Sequence, residues 1–256
     1  MNIAYTCDVV DNPQIESGVE ILAEDVAWFL PWKAFADVAI SATLLVITAP
    51  LILLVMLLVK ATSPGPALFR QVRLGRGGRP YLLFKIRTMA HDCERLTGPQ
   101  WSTANDPRVN AVGRFLRRSH LDELPQLWNV LRRDMSLVGP RPERPEFVAR
   151  LESVVPNYRE RMNVQPGITG LAQIQLPPDE HVDDVRRKVA CDLCYLQNMS
   201  PGLDLKIRVG TALKIAGLSF ATTRQILELP GVLAPDRYMA PDQEVESTPI
   251  TQAQPT

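Results

Sequence analysis

Residues 38–59 read VAISATLLVITAPLILLVMLLV, an apolar run without a single charge, bracketed by Asp37 and Lys60. As a straight α-helix, about 22 residues reach across the hydrocarbon core of a bilayer. Pro50 stands near the centre of the run. Its ring clashes with the carbonyl four residues back and it has no N–H to donate, so the helix is expected to kink sharply there. Ahead of the run, residues 1–32 form an acidic lead-in with Asp8, Asp11, Glu16, Glu20, Glu24 and Asp25. This lead-in has no basic n-region and does not read as a secretory signal, so the apolar run is expected to be retained. Trp28, Phe29 and Trp32 just before the run suit an interfacial aromatic belt.

Over the whole chain 28 basic residues balance 28 acidic ones, so no global field argues for nucleic acid. The basic residues are nevertheless concentrated after the apolar run: Arg70, Arg73, Arg76, Arg79, Lys85, Arg87, Arg95, Arg108, Arg114 and Arg117. That asymmetry places the following domain in the cytoplasm and suits anionic headgroups. Cys7, Cys93, Cys191 and Cys194 do not form a disulfide-scaffold pattern, in keeping with a reducing compartment. Cys191-x-x-Cys194 has no second ligand pair at zinc spacing and reads as helix packing.

Ser63-Pro64-Gly65-Pro66 ends the apolar helix. Residues 67–72 and 81–86 read as short strands joined by the Gly75–Gly78 turn, a β-hairpin. Helical spacing covers 121–131, helices are expected over 146–161 and 182–197, and 203–218 reads as an amphipathic surface helix. From about residue 234 the Pro-, Thr- and Gln-rich tail is expected to be disordered.

Asp122 and Glu123 are neighbouring carboxylates, and Pro125 is tolerated only in the first turn of the helix that follows. This placement would let the helix dipole favour their ionised forms. An ionised aspartate can attack phosphorus, and an adjacent carboxylate can hold Mg²⁺. On spacing alone, Ser119-His120-Leu121-Asp122 is better read as a capping box. Gly139-Pro140-Arg141-Pro142 presents an arginine between two φ-locked prolines, and an arginine fork matches phosphate oxygens. Lys85, Arg87, Arg114, Arg117 and Arg118 are candidate counter-charges for a diphosphate. Each of these features read alone has an ordinary surface explanation.

Together the motifs resemble one family: residues 85–89 (KIRTM), 115–131 (FLRRSHLDELPQLWNVL), 134–142 (DMSLVGPRP) and 166–173 (PGITGLAQ). The chain from about residue 33 to 210 is similar to the bacterial sugar transferases, monotopic polyprenyl-phosphate phosphoglycosyl transferases that start polysaccharide and glycan assembly. The resemblance implies transfer of a sugar 1-phosphate from a nucleotide sugar, usually a UDP-sugar, to polyprenyl phosphate with release of UMP. It implies Asp122 as nucleophile and Glu123 as the residue holding Mg²⁺. Arg117 and Arg141 are implied to neutralise phosphate charge; Lys85 and Arg87, from the basic group, are the further phosphate-binding candidates. It also gives Pro50 a role as the break of a re-entrant membrane hairpin, with Thr48 near enough to satisfy freed carbonyls.

The expected fold class is therefore α+β and mostly helical: a re-entrant helix-break-helix hairpin, a cytoplasmic catalytic domain with a small β-hairpin, and amphipathic surface helices. The expected segments are 1–32 as lead-in, 33–60 as membrane helix broken at Pro50, 61–218 as catalytic domain and 219–256 as C-terminal extension. Expected partners are the nucleotide sugar, polyprenyl phosphate and inner-membrane lipid, with no nucleic acid and with room for a homodimer. The chain departs from the family at Ile174-Gln175-Leu176-Pro177-Pro178, where a Val-x-Gly-Arg-like stretch is usual, and at His120, where a small residue is usual. Two rival readings are a catalytically idle membrane scaffold and a soluble aspartyl-phosphate hydrolase whose apolar run is a core helix.

Overall fold

A computed structural model describes residues 28–95, 98, 106–179 and 181–230. The acidic lead-in up to residue 27 and the tail expected to be disordered lie outside the described residues. Helix α1, Phe29–Thr62, carries the apolar run in 34 residues and continues through Pro50 as one helical element. It is long and apolar enough to cross a membrane. Pro50 is accommodated within the element, since losing one N–H does not oblige a helix to end. The Thr48 hydroxyl donates to the Leu44 carbonyl at 2.7 Å. It does not go to Val46, the carbonyl that Pro50 leaves without its usual donor.

Both ends of α1 pack on the folded body. Phe29, Lys33, Asp37 and Ser41 are buried at i,i+4 spacing, and Ile52, Val55 and Val59 are buried near the other end. No residue from 42 to 51 is buried. The helix ends where Pro64 forces Ser63 into an extended conformation.

Strands β1 (Leu68–Leu74) and β2 (Pro80–Ile86) form the expected antiparallel hairpin, with Leu68 opposite Ile86. Its turn needs glycine, because Gly77 and Gly78 have φ of +66° and +72°. Helix α2, Ala111–Arg118, follows. The helix expected over 121–131 is divided into a 3₁₀ turn, Leu121–Glu123, and helix α3, Gln126–Leu131, with Pro125 at the N-cap of α3. Strands β3 (Ser136–Val138) and β4 (Gly167–Thr169) pair in parallel. At three residues each they carry no periodic signal.

Helix α4, Pro145–Val154, is shorter than expected. Val155 is extended ahead of Pro156, and the chain resumes as a 3₁₀ segment, Tyr158–Asn163. Helix α5 is Leu171–Gln175, α6 is Val182–Gln197 and α7 is Pro201–Ile215, where Ser200 caps the N-terminus by accepting from Leu203 N at 3.2 Å. Helix α8, Phe220–Leu227, buries Thr223, and Leu229 joins the core.

The main core gathers Leu127, Val130, Met135, Val138, Leu171, Ile174, Tyr195, Leu203 and Ile207 around the buried start of α1. A second cluster joins α4, the 3₁₀ segment and α6 through Leu151, Tyr158 and Val189. A third links Val55 and Val59 of α1 to Ile86 and Leu116. Cys191 and Cys194 are buried in α6, as expected for packing. Cys191 is a free thiol.

The start of α1 is fixed by buried charges. Lys33 pairs with Asp204 at 2.6 Å and with Asp37 at 3.3 Å, and Arg208 pairs with Asp37 at 2.9 Å. Tyr195 donates its hydroxyl to Asp204 at 2.8 Å. Removing one member of such a cluster leaves an uncompensated buried charge, a loss of roughly 3–5 kcal/mol. Asp204→Ala is therefore expected to lower the thermal midpoint of the detergent-solubilised protein clearly. The paired change Lys33→Met with Asp204→Leu should recover much of the loss in the same melting experiment.

Candidate active site

The site is assembled from the end of β2, the turn after α2 and the loop after β3. Helix α2 starts at Asn110, whose side chain accepts from Gly113 N at 2.6 Å. It ends at Ser119, whose hydroxyl donates back to Phe115 O at 2.9 Å. The capping box that spacing favoured is therefore absent, because Ser119 closes the preceding helix instead of opening the next. His120 then turns the chain in the left-handed region at φ +54°, which delivers Asp122 and Glu123 on the 3₁₀ turn.

The two carboxylates have different surroundings. Glu123 Oε1 accepts from Lys85 Nζ at 2.7 Å and from Arg141 at 3.4 Å, and His120 Nδ1 stands 3.9 Å from Oε2. Burial acts to raise the Glu123 pKa, but Lys85 and Arg141 outweigh it and hold the carboxyl well below its usual range. Asp122 is buried, and its carboxylate makes no hydrogen bond or ion pair among the described residues. Burial first, and the neighbouring Glu123 second, push its pKa up to about 6 against the pull of Lys85, Arg117 and His120. The expected dipole effect does not decide this value: α3 begins only at Gln126, and desolvation dominates.

Lys85, Arg141, Asp122 and Glu123 come together as the sequence predicts. Arg117 lies within electrostatic reach of Asp122, and its Nε donates to Thr88 Oγ1 at 2.9 Å. Arg87 is directed elsewhere. Its guanidinium donates to the carbonyls of Ser63 at 2.9 Å and of Pro64, where α1 leaves its last turn. The strand alternation of residues 85–87 carries no information about which anion each basic residue meets.

Several supporting residues escaped the sequence reading. Arg161, buried against Asp192 at 2.6 Å, donates to the Arg141 carbonyl at 3.1 Å and holds the arginine loop from behind. Asn129, fully buried, accepts from Phe84 N at 3.1 Å and donates to Leu82 O at 2.7 Å, which ties α3 to the strand carrying Lys85. A polar residue inside the apolar run Leu127–Leu131 was the one available signal for Asn129. The Arg141 loop also depends on close backbone packing. A Cβ on Gly167 would lie 2.1 Å from Gly139 N, so the stretch can turn out of β3 only over glycine.

No group of three metal-ligating side chains occurs among the described residues. Two adjacent carboxylates nevertheless suit Mg²⁺, which is commonly held by one or two carboxylates while substrate phosphates and water complete the shell. The arrangement as a whole offers an uncommitted carboxylate, a compensated one beside it, and cations placed for a phosphate group.

Comparison with known proteins gives the same direction. The profile described as "Bacterial sugar transferase" matches residues 28–217. The chain is 46% identical over 183 residues to the UDP-glucose:undecaprenyl-phosphate glucose-1-phosphate transferase of Caulobacter vibrioides, covering 70% of this chain and 67% of that protein. It is 40% identical over 192 residues to the enzyme of the same name from Xanthomonas campestris, covering 74% of this chain and 40% of the relative. It is 40% identical over 184 residues to exopolysaccharide production protein PSS of Rhizobium leguminosarum, covering 70% of this chain and 92% of the relative. The chain thus spans well under half of one of these relatives and nearly all of another. It belongs to the bacterial sugar transferase family.

Proposed function

We propose that this protein transfers a sugar 1-phosphate from a UDP-sugar to undecaprenyl phosphate, releasing UMP, as the first membrane step of polysaccharide or glycan assembly. The observation that carries the reading is the division of labour between Asp122 and Glu123. Glu123 is engaged by Lys85 and Arg141, while Asp122 is left buried and uncommitted. Several relatives are named for glucose 1-phosphate transfer and others for N-acetylgalactosamine phosphate transfer, all to undecaprenyl phosphate, so the reaction class is supported and the sugar is left open.

In the first half-reaction an Asp122 oxygen attacks the phosphorus that bears the sugar. The bond from that phosphorus to the bridging oxygen breaks, and UMP leaves with the electron pair. In the second, a phosphate oxygen of the lipid attacks the same phosphorus and expels the Asp122 carboxylate, which regenerates the enzyme. Arg117 and Arg141 offset charge on the phosphates, and Lys85 keeps Glu123 oriented and anionic. Glu123 would hold Mg²⁺, which when bound supplies further compensation for the diphosphate charge.

The membrane reading completes the proposal. Both ends of α1 are buried against the same folded body, and the unburied stretch 42–51 lies between them. A helix that crossed the bilayer would leave one end on the far side. This packing supports a re-entrant insertion kinked at Pro50, with the catalytic domain on the cytoplasmic face of the inner membrane. The basic residues that follow α1 agree with that side.

Two outcomes are expected. Asp122→Asn should cut UMP release on the order of 10³-fold or more, because no covalent route remains; activity retained at the parent level would remove Asp122 from the chemistry. A membrane fraction that never releases UMP from any UDP-sugar would favour the idle-scaffold reading. For topology, a cysteine introduced at Asn2 in a Cys7→Ser background should resist a membrane-impermeant thiol reagent added to intact cells. Labelling without permeabilisation would establish a true span.

A further inference from the structure

We propose that Thr88 is a positioning residue for the donor's phosphates, acting through Arg117; the inference rests on the reading of Arg117 as a phosphate-binding arginine. Thr88 lies just past β2, is buried, and accepts from Arg117 Nε at 2.9 Å. The guanidinium is planar, so holding Nε fixes the plane and the direction in which its terminal nitrogens point.

The backbone around this contact is rigid on both sides. A Cβ at Gly113 would lie 2.0 Å from the Thr88 carbonyl oxygen, so α2 rests directly on the backbone of residue 88 through a glycine. The Asn110 cap fixes the first turn of that helix. Beyond Thr88, Met89 bridges Val109, and Ala90 N donates to Arg108 O at 3.0 Å. With helix and strand locked together, the Thr88 hydroxyl constrains the Arg117 side chain at its Nε. The four residues 85–88 thereby serve three parts of the machine: Lys85 meets Glu123, Arg87 holds the exit of α1, and Thr88 aims Arg117.

The test measures UDP affinity by titration calorimetry on the full-length protein in nanodiscs, with the melting temperature as a control for folding. Thr88→Val keeps the shape and removes the acceptor, and is expected to weaken UDP binding about tenfold, the scale of one hydrogen bond to a charged group. Thr88→Ala is measured alongside and should behave alike, whereas Thr88→Ser should restore binding to within about twofold of the parent, since its hydroxyl can still accept. In an Arg117→Ala background, Thr88→Val should add nothing, because its effect runs through Arg117. Parent-like UDP binding by Thr88→Val, with Arg117→Ala weakened, would overturn the positioning role alone. A Thr88→Val effect of undiminished size in the Arg117→Ala background would overturn it too, as a sign of general packing. Parent-like binding by Arg117→Ala would remove the phosphate-binding reading and this inference with it.

Discussion

Two carboxylates adjacent in sequence are brought into a poorly solvated turn, and like charges so placed cannot both be ionised without compensation. The structure resolves this by assigning the compensation to one of them. Lys85 at 2.7 Å and Arg141 at 3.4 Å both engage Glu123, so the pair carries one satisfied charge and one carboxylate left available. Much of the architecture around the site serves this asymmetry. The hairpin brings Lys85, the β3–β4 pair directs the loop that brings Arg141, and the left-handed turn at His120 presents both acids on one short 3₁₀ segment.

The same economy links the site to the membrane helix. Strand β2 contributes Lys85 to the carboxylate pair and is followed by Arg87, which grips carbonyls at the exit of α1. Val55 and Val59 of that helix pack against Ile86 and Leu116, on the two elements that carry Lys85 and Arg117. At its other end α1 is seated by Lys33 and Asp37 against Asp204 and Arg208. A lipid-phosphate acceptor arriving in the bilayer would therefore meet a site whose distance from α1 is set by direct contacts, without an intervening linker.

Much of the hairpin was legible from the sequence, because alternating short strands around a glycine turn leave a strong local signal. Helix α6 was legible through its long periodic face, and the apolar run through its composition. The helices over 121–131 and 146–161 were read too long for one reason: Pro125 and Pro156 divide them, and periodicity averages over such breaks. The parallel β3–β4 pair escaped because its strands have three residues each and are brought together only by the rest of the fold. In the site, the acids and Arg141 were legible as motifs. The supporting Thr88, Asn129 and Arg161 were not, since a polar residue that will be buried looks in sequence like one that stays in water.

The sequence by itself determined that the chain carries a membrane-length apolar helix with a proline in it, a basic domain behind it and an Asp-Glu pair in the setting of the bacterial sugar transferases. These are matters of composition and local pattern. Only the tertiary structure decided that Glu123 takes the cations and Asp122 stays uncommitted, that burial raises Asp122 to about 6 where a helix dipole was expected to favour its ionised form, and that Arg87 faces the exit of the apolar helix. The physical reason is common to all three. The charge partner and the hydration of a side chain depend on elements distant in sequence, and no local pattern specifies them before the chain has folded.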